Sequence, residues 1–456
     1  MRLRATKKDI LNGNILEQML IFLFPLFIGY LLQTLYGIVD NIVLGRIVGK
    51  QALAAVGGSA TSIINIINNF VSGMAAAITV LVAQNYGRGN MNKVSESVKT
   101  GMFVSIMVGG LLTLIMNLAA RPLLNLMAEP VETISLSLTY MRLYFFSLIP
   151  YFIYQSGVSI LRALGDSKRP LYLIMVTAVS KILFDLLLAG VFKLGVIGTS
   201  LATFLSHLVC ALIILFIFER TIDVYQYSIK NFGFEKEDLI QIFKIGIPFS
   251  IQSMLFAIPN AVIQRKINTF GTDSIAAYTA FNSVDNLFWC FSNSVGTATI
   301  TLAGQNYGNG NMKRVKKIAY TSILVEFTGA VIYGVVFYTF GTNILSLFLK
   351  DPEVIVISKR ILNVISCSYW TYLFLEPLSA VFKSVGLTNV PVYIAVFTIL
   401  ISRIVYIYTF DIKDVAMAVV AFPISWVLTS LAYLAYFLIN KKFRIDDKEE
   451  KEIKNS

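Results

Sequence analysis

Charge is scarce in this chain. Asp, Glu, Lys and Arg make up 14% of its 456 residues, while hydrophobic residues make up 56%. Soluble domains carry nearer a quarter charged residues. Histidine occurs once, at His207, and cysteine three times, at Cys210, Cys290 and Cys367. The cysteines lie far apart in apolar stretches, without a CxxC pair or a Cys/His cluster, which excludes a zinc or redox motif. A GxxxxGK[ST] run is also missing, which excludes a P-loop. Alternating ten-residue segments are missing too, which excludes an outer-membrane barrel. Little in this composition suits a soluble enzyme.

What is present is apolar length. Mean hydropathy is +0.71. Charge-poor stretches occur near 17–45, 51–87, 100–120, 131–161, 170–192, 194–218, 239–264, 274–304, 318–349, 357–382, 391–410 and 415–440. A transmembrane helix needs about 20 mostly apolar residues. The pattern predicts an all-α membrane protein of twelve transmembrane helices. The first apolar run follows a basic flank, MRLRATKKDILNGN, and is too long for a signal peptide, so span 1 is expected to be retained.

The net charge of +12 fits a membrane reading and gives no reason to expect nucleic acid. With a cytoplasmic N-terminus and twelve crossings, 23 basic residues fall in cytoplasmic segments and 8 on the other side. The positive-inside rule then places both termini in the cytoplasm of a cell (inner) membrane protein. The mixed-charge segment 441–456 reads as a solvated tail.

The chain also repeats itself. QNYGRGNMNKV at 84–94 and QNYGNGNMKRV at 305–315 share eight of eleven positions at an offset of 221. At the same offset Gly165, Pro170 and Tyr172 align with Gly386, Pro391 and Tyr393. Pro25 aligns with Pro248 at a nearly equal offset. The duplicated unit holds six spans, an even number, so both copies keep one orientation. This predicts two six-helix lobes related by a parallel pseudo-two-fold repeat. The lobes are read as 1–218 and 239–440, joined by a polar cytoplasmic linker at 219–238. The QNYG segments read as Gly/Asn turns, a structural role.

Ionisable groups at membrane depth are costly and are functional candidates by default. They are Asp40, Arg142, Lys181, Asp185, Asp285, Glu326, Glu376 and Arg403. Most have no charged counterpart in the other half, so duplication does not explain them. Lys181 and Asp185 are four apart and can pair on one helix face. Thr203 and His207 are also four apart on span 6. Span 7 carries Gln252, Asn260 and Gln264, and Asn65 on span 2 aligns with Asn286 on span 8. Such amides either glue helices together or line a wet cavity. Pro25, Pro150, Pro248, Pro259, Pro377 and Pro423 lie inside spans, where each removes a backbone donor and permits a bend.

Together, PLFIGYLLQTLYGIVDNIVLGRIVGKQALAAVG (25–57), VAQNYGRGN (82–90), LRALGDSKRP (161–170), FDLLLAGVFKLGVIGTSLAT (184–203), IGIPFSIQSMLFAIPNAVIQRKINTFG (245–271) and LAGQNYGNGN (302–310) resemble the multidrug and toxic compound extrusion (MATE) family. The resemblance implies an antiporter, not an enzyme, that exports amphipathic, often cationic organic compounds in exchange for H⁺ or Na⁺ by alternating access. It implies no cofactor beyond that coupling ion, no metal site, and a monomer in the lipid bilayer. Asp40 matches the family's coupling carboxylate, and Asp185 and Thr203 match its partners. Lys181 departs from the usual Asn. Its ammonium stands where a bound Na⁺ would sit, which favours H⁺. The expected substrate-binding set is Asn65, Gln252, Asn260, Asp285 and Glu376, lining a cavity between lobes. Glu376 is also a candidate for a second ion site with Glu326. Two alternatives are a lipid-linked precursor flippase of the same broad superfamily and a channel or receptor. Flippases of that kind commonly have two further spans and a basic cavity, whereas the intramembrane charges here are five acids and three bases.

Overall fold

The computed structural model describes residues 10–43, 48–49, 52, 55–127, 129, 131–220, 233–349 and 351–444. Every regular element among them is helical. The first half contains α1 (Ile15–Val43), α2 (Thr61–Arg88), α3 (Met91–Leu126), α4 (Val131–Phe146), α5 (Leu148–Ala163), α6 (Lys168–Asp185) and α7 (Gly195–Arg220). The second contains α8 (Lys236–Leu255), α9 (Ala257–Asn268), α10 (Thr272–Gly308), α11 (Met312–Leu345), α12 (Pro352–Ser366), α13 (Leu375–Ser384), α14 (Asn389–Ala395), α15 (Ser402–Thr409), α16 (Val415–Val419) and α17 (Ala421–Ile439). Short π-helical or 3₁₀ turns lead into α2, extend α6, and join α12 to α13 and α14 to α15.

Among the described residues these segments form twelve rods, because several rods are broken in the middle. Prolines explain the breaks. A proline cannot donate to the carbonyl four residues back. Pro150 follows the α4–α5 break, Pro259 the α8–α9 break, Pro377 the α12–α13 break and Pro423 the α16–α17 break. The α4–α5 pair bends by 48°. Nine helices among the described residues are long and apolar enough to cross a membrane, or ten with that bent pair counted as one span. Two rods fall outside that set for visible reasons. α10 has 37 residues but carries Asn282, Asp285, Asn286 and Asn293 along its length. The rod α12–α13 falls into pieces of 15 and 10 residues.

The repeated QNYG motif shows what its letters do. Gly89 ends α2 at φ 80°, and Gly310 sits after α10 at φ 75°, a left-handed conformation that side chains resist. The next Asn then caps the following helix. Asn90 Oδ1 accepts from Lys93 N at 3.1 Å, and Asn311 Oδ1 accepts from Arg314 N at 3.0 Å. The turn is a helix stop and a helix start in consecutive residues.

The chain folds into two compact units. One comprises Met1–Lys7 with Ile28–Ser250, the other Lys8–Phe27 with Ile251–Ser456. The chain therefore passes between units inside α1 and again inside α8, two residues after Pro25 and Pro248. Much of the linker read from sequence, 221–232, lies outside the described residues. In the first unit, Met74, Ile78, Val82, Met102, Phe152 and Cys210 form the main core. Gly73 lets α8 approach closely, since a Cβ there would lie 2.5 Å from the Ser250 backbone. In the second unit, Phe22, Phe288, Tyr369, Phe382 and Tyr433 are buried together. Large apolar side chains face outward, among them Leu111, Leu114 and Leu118 on α3 and Leu324, Val331 and Val335 on α11. This is the surface that lipid tails would contact.

Candidate functional site

In the first unit, α1 and α6 bring three charges together. Lys181 Nζ donates to Asp40 Oδ1 at 2.6 Å and to Asp185 Oδ2 at 2.5 Å. The i,i+4 spacing on α6 sets the second contact. Side-chain exposure is 6% for Lys181, 1% for Asp185 and 21% for Asp40. The most accessible carboxylate is thus Asp40. Among the described residues, Asp185 Oδ1 is buried without a hydrogen-bond partner. One ammonium between two carboxylates leaves the group one negative charge in excess, a place for one more proton or cation.

Beside this group lies a cavity of about 50 Å³, lined by Gln33, Tyr36, Tyr151, Tyr154, Gln155, Ile174, Thr177 and His207. Polar walls of this kind suit a few water molecules. His207 stacks on Tyr154 at 6.5 Å and 12° and leans on Tyr151 at 4.9 Å. Its Nδ1 is buried without a partner among the described residues. Thr203 is buried, but its hydroxyl donates to Thr199 O at 3.0 Å within its own helix. Among the described residues no hydrogen bond joins it to the acids.

The sequence reading missed the tyrosines. Tyr151 and Tyr154, three apart on α5, share one face, and that spacing was the available signal. It is also the spacing of ordinary packing, so it did not stand out.

The second unit holds the other polar groups. Asp285 on α10 accepts from Trp289 Nε1 at 2.5 Å and from Tyr369 OH at 2.6 Å. Gln252 on α8 is buried, with Nε2 at 3.5 Å from Ser379 Oγ and 3.4 Å from Tyr433 OH. Its Oε1 has no partner among the described residues. Asn260 Oδ1 accepts from Arg403 Nη1 at 2.7 Å. Glu376 lies over the bare backbone of Gly296, where a Cβ would collide with its Oε1, and Tyr372 OH reaches its Oε2 at 3.4 Å. Glu326 is fully buried, and among the described residues neither carboxylate oxygen has a hydrogen-bond partner. Asn65 belongs to the first unit and is exposed on α2. Among the described residues no group of three His, Cys, Asp or Glu side chains is arranged to hold a metal ion.

The MatE family model matches residues 25–187 and again 246–409, most of the chain and in two copies. The chain belongs to the MatE family. It is 28% identical over 393 residues to the probable multidrug resistance protein YoeA of Bacillus subtilis (strain 168), covering 85% of each chain. It is 27% identical over 366 residues to the multidrug export protein MepA of Staphylococcus aureus (strain MRSA252), covering 77% of this chain and 78% of that one.

Solved MATE structures have the same fold. A crystal structure of MATE in the straight conformation aligns with TM-score 0.86 over 98% of this chain and 99% of that one, at 19% identity. A MOP superfamily transporter from Pyrococcus furiosus, described as having a binding pocket of reversed polarity, aligns with TM-score 0.84 at 21% identity, covering 98% of each chain. These likenesses bear out an all-α fold of twelve rods.

Proposed function

We propose that this MatE protein is a proton-coupled antiporter that exports amphipathic organic compounds, many of them cationic, by alternating access. The observation that carries the coupling is the Lys181 ammonium held between Asp40 and Asp185 at 2.6 and 2.5 Å. A tethered cation fills the space between the carboxylates. A free Na⁺ would have to displace it, whereas a proton needs no such room.

In this mechanism the group binds a proton at its excess negative charge when the site opens outward. The proton reaches Asp40 and Asp185, of which Asp40 is the more exposed. Protonation weakens one bridge to Lys181, and α1 and α6 are then less tightly joined. The proton leaves on the inward side and the bridge re-forms. Protons can drive export only if this group binds them differently in the two states. The three groups titrate as a set, so any pH midpoint would belong to all of them. Asn65, Gln252, Asn260, Asp285 and Glu376 are the residues we assign to the substrate.

Everted vesicles test this. Dye efflux should follow an imposed ΔpH and ignore an imposed Na⁺ gradient. Asp40→Asn should abolish ΔpH-driven efflux while dye binding stays measurable. Lys181→Asn should bring in Na⁺ stimulation or move the pH dependence upward. Normal ΔpH-driven efflux by Asp40→Asn would sink the coupling site proposed here.

A further inference from the structure

Arg403 lies on α15 in the second unit and is 3% exposed. A guanidinium carries five N–H donors. Here Nε donates to Ser425 Oγ at 2.9 Å, and Nη1 donates to Asn260 Oδ1 at 2.7 Å. The flat face stacks over Phe422, with Cζ 4.5 Å from the ring centre. Nη2 makes no hydrogen bond to the described chain. Among the described residues no carboxylate pairs with Arg403, and the titratable side chains acting on it are Tyr278 and Tyr372. All of these partners are neutral amide, hydroxyl or aromatic groups. Among the described residues the positive charge itself is not compensated. Buried cations in membrane proteins are normally paired, or else they face a pathway.

The surroundings add a shape. Phe422 abuts Trp426 at 6.1 Å. Trp426 abuts Tyr372 at 5.7 Å and Trp289 at 5.9 Å. An aromatic wall therefore runs from Arg403 to Trp289, whose Nε1 is bound to Asp285. Both Asp285 oxygens already accept hydrogen bonds, from Tyr369 and Trp289. At this wall the acid is satisfied and the base is not.

We propose that Arg403 binds the anionic group of an exported compound, a carboxylate, sulfonate or phosphate, whose flat apolar body lies against Trp426, Trp289 and Tyr372. The word exported rests on the antiport reading; the binding does not. Asn260 and Ser425 hold the guanidinium plane and leave the Nη2 N–H donors for an anionic oxygen. Phe422 holds the opposite face. The selected substrates then include aromatic acids and zwitterions as well as cations.

The test uses the full chain in phosphatidylcholine nanodiscs and one probe in two forms, 7-methoxycoumarin-3-carboxylate and its carboxamide. Binding is read by quenching of tryptophan emission. The wild type should bind the acid about tenfold more tightly than the amide, the size of one charge-assisted hydrogen-bond pair. Arg403→Gln should erase that preference. Arg403→Lys should keep part of it. If Arg403→Gln does not fold, the wild type and Arg403→Lys still decide the matter. Equal wild-type affinity for acid and amide overturns the proposal, as does a preference that survives Arg403→Gln. Adding phosphatidylglycerol separates two sources of the anion. Competition with the acid means that lipid phosphate reaches the same guanidinium, and its absence means the site takes free solute; either supports an anion site. The two readings fail separately. Acid preference without ΔpH-driven efflux sinks only the coupling, and efflux without acid preference sinks only the anion site.

Discussion

At the scale of single residues, Glu129 shows how one carboxylate secures a turn. It lies in the α3–α4 connection and accepts from Ser137 Oγ at 2.7 Å and Thr133 Oγ1 at 2.8 Å. Burial would raise its pKa, but hydrogen bonds from Ser59, Ser137 and Thr133 win and hold it below the ordinary 4.5. A depressed folded-state value stabilises the fold fully above the ordinary carboxylate range, and that contribution is lost as pH falls through the lowered value. Glu129→Gln should therefore lower stability by about 1 kcal/mol at neutral pH. The difference from wild type should shrink in acid below about 4.5. Thermal unfolding of the detergent-solubilised pair across pH 3–7 measures it; a gap that does not change with pH contradicts the account.

The sequence showed which residues were out of place in lipid, but not which of them meet. Lys181 and Asp185 were readable as a pair because four residues separate them on one helix. Their link to Asp40, 141 residues away, was implied only by resemblance. Arg403 was visible as a buried charge, yet its lack of an acid partner depends on where α9, α15 and α17 lie in space. No spacing in the chain encodes that.

Individual helices were more legible. The QNYG repeat was readable as a turn because Gly and Asn at those positions have few other uses. Its exact partition, a left-handed Gly followed by an N-capping Asn, follows from the residue types once the helix ends are fixed. Asn90→Ala and Asn311→Ala should each cost about 1 kcal/mol, the usual effect of a lost cap. The double variant should cost nearly the sum if the sites are independent. Unfolding temperatures of the three variants check this. Gly73 makes a sharper prediction. A side chain there meets the backbone of Ser250, which cannot step aside as a flexible side chain can. Gly73→Leu should lower folded yield in detergent severely, whereas Gly110→Leu, with open space around it, should be tolerated. Similar yields for both would mean that α8 shifts freely. The long rods were harder to place. The sequence showed that α10 carries Asn282, Asp285, Asn286 and Asn293, but not which side chains of other helices they meet.

For the whole molecule, orientation rests on the basic residues at the helix ends. The excess at the QNYG turns and both termini predicts a cytoplasmic location for them. The check is single cysteines at Asn90 and Asn309 in a background without Cys210, Cys290 and Cys367, of which Cys367 is exposed. An impermeant maleimide added outside intact cells should leave both unlabelled until the membrane is opened. Labelling without permeabilisation would invert the topology.

The passage of the chain from one unit to the other within α1 and α8 has a further meaning. Asn306 and Arg314 of the second unit hold Ile10 and Gly13, residues that precede the first copy of the repeat's long helices. Ser97 of the first unit binds Asp238, encoded at the start of the second copy, and Asn85 supports Ser97. Each half of the sequence thus lends its opening segment to the unit built mainly from the other half. This is the arrangement of a domain-swapped dimer whose two subunits have become one polypeptide. A gene cut between the halves would yield two pieces that are each missing a part the other carries. They should accumulate only when made together, and a tandem of two identical first halves is the sequence from which such a protein could have begun.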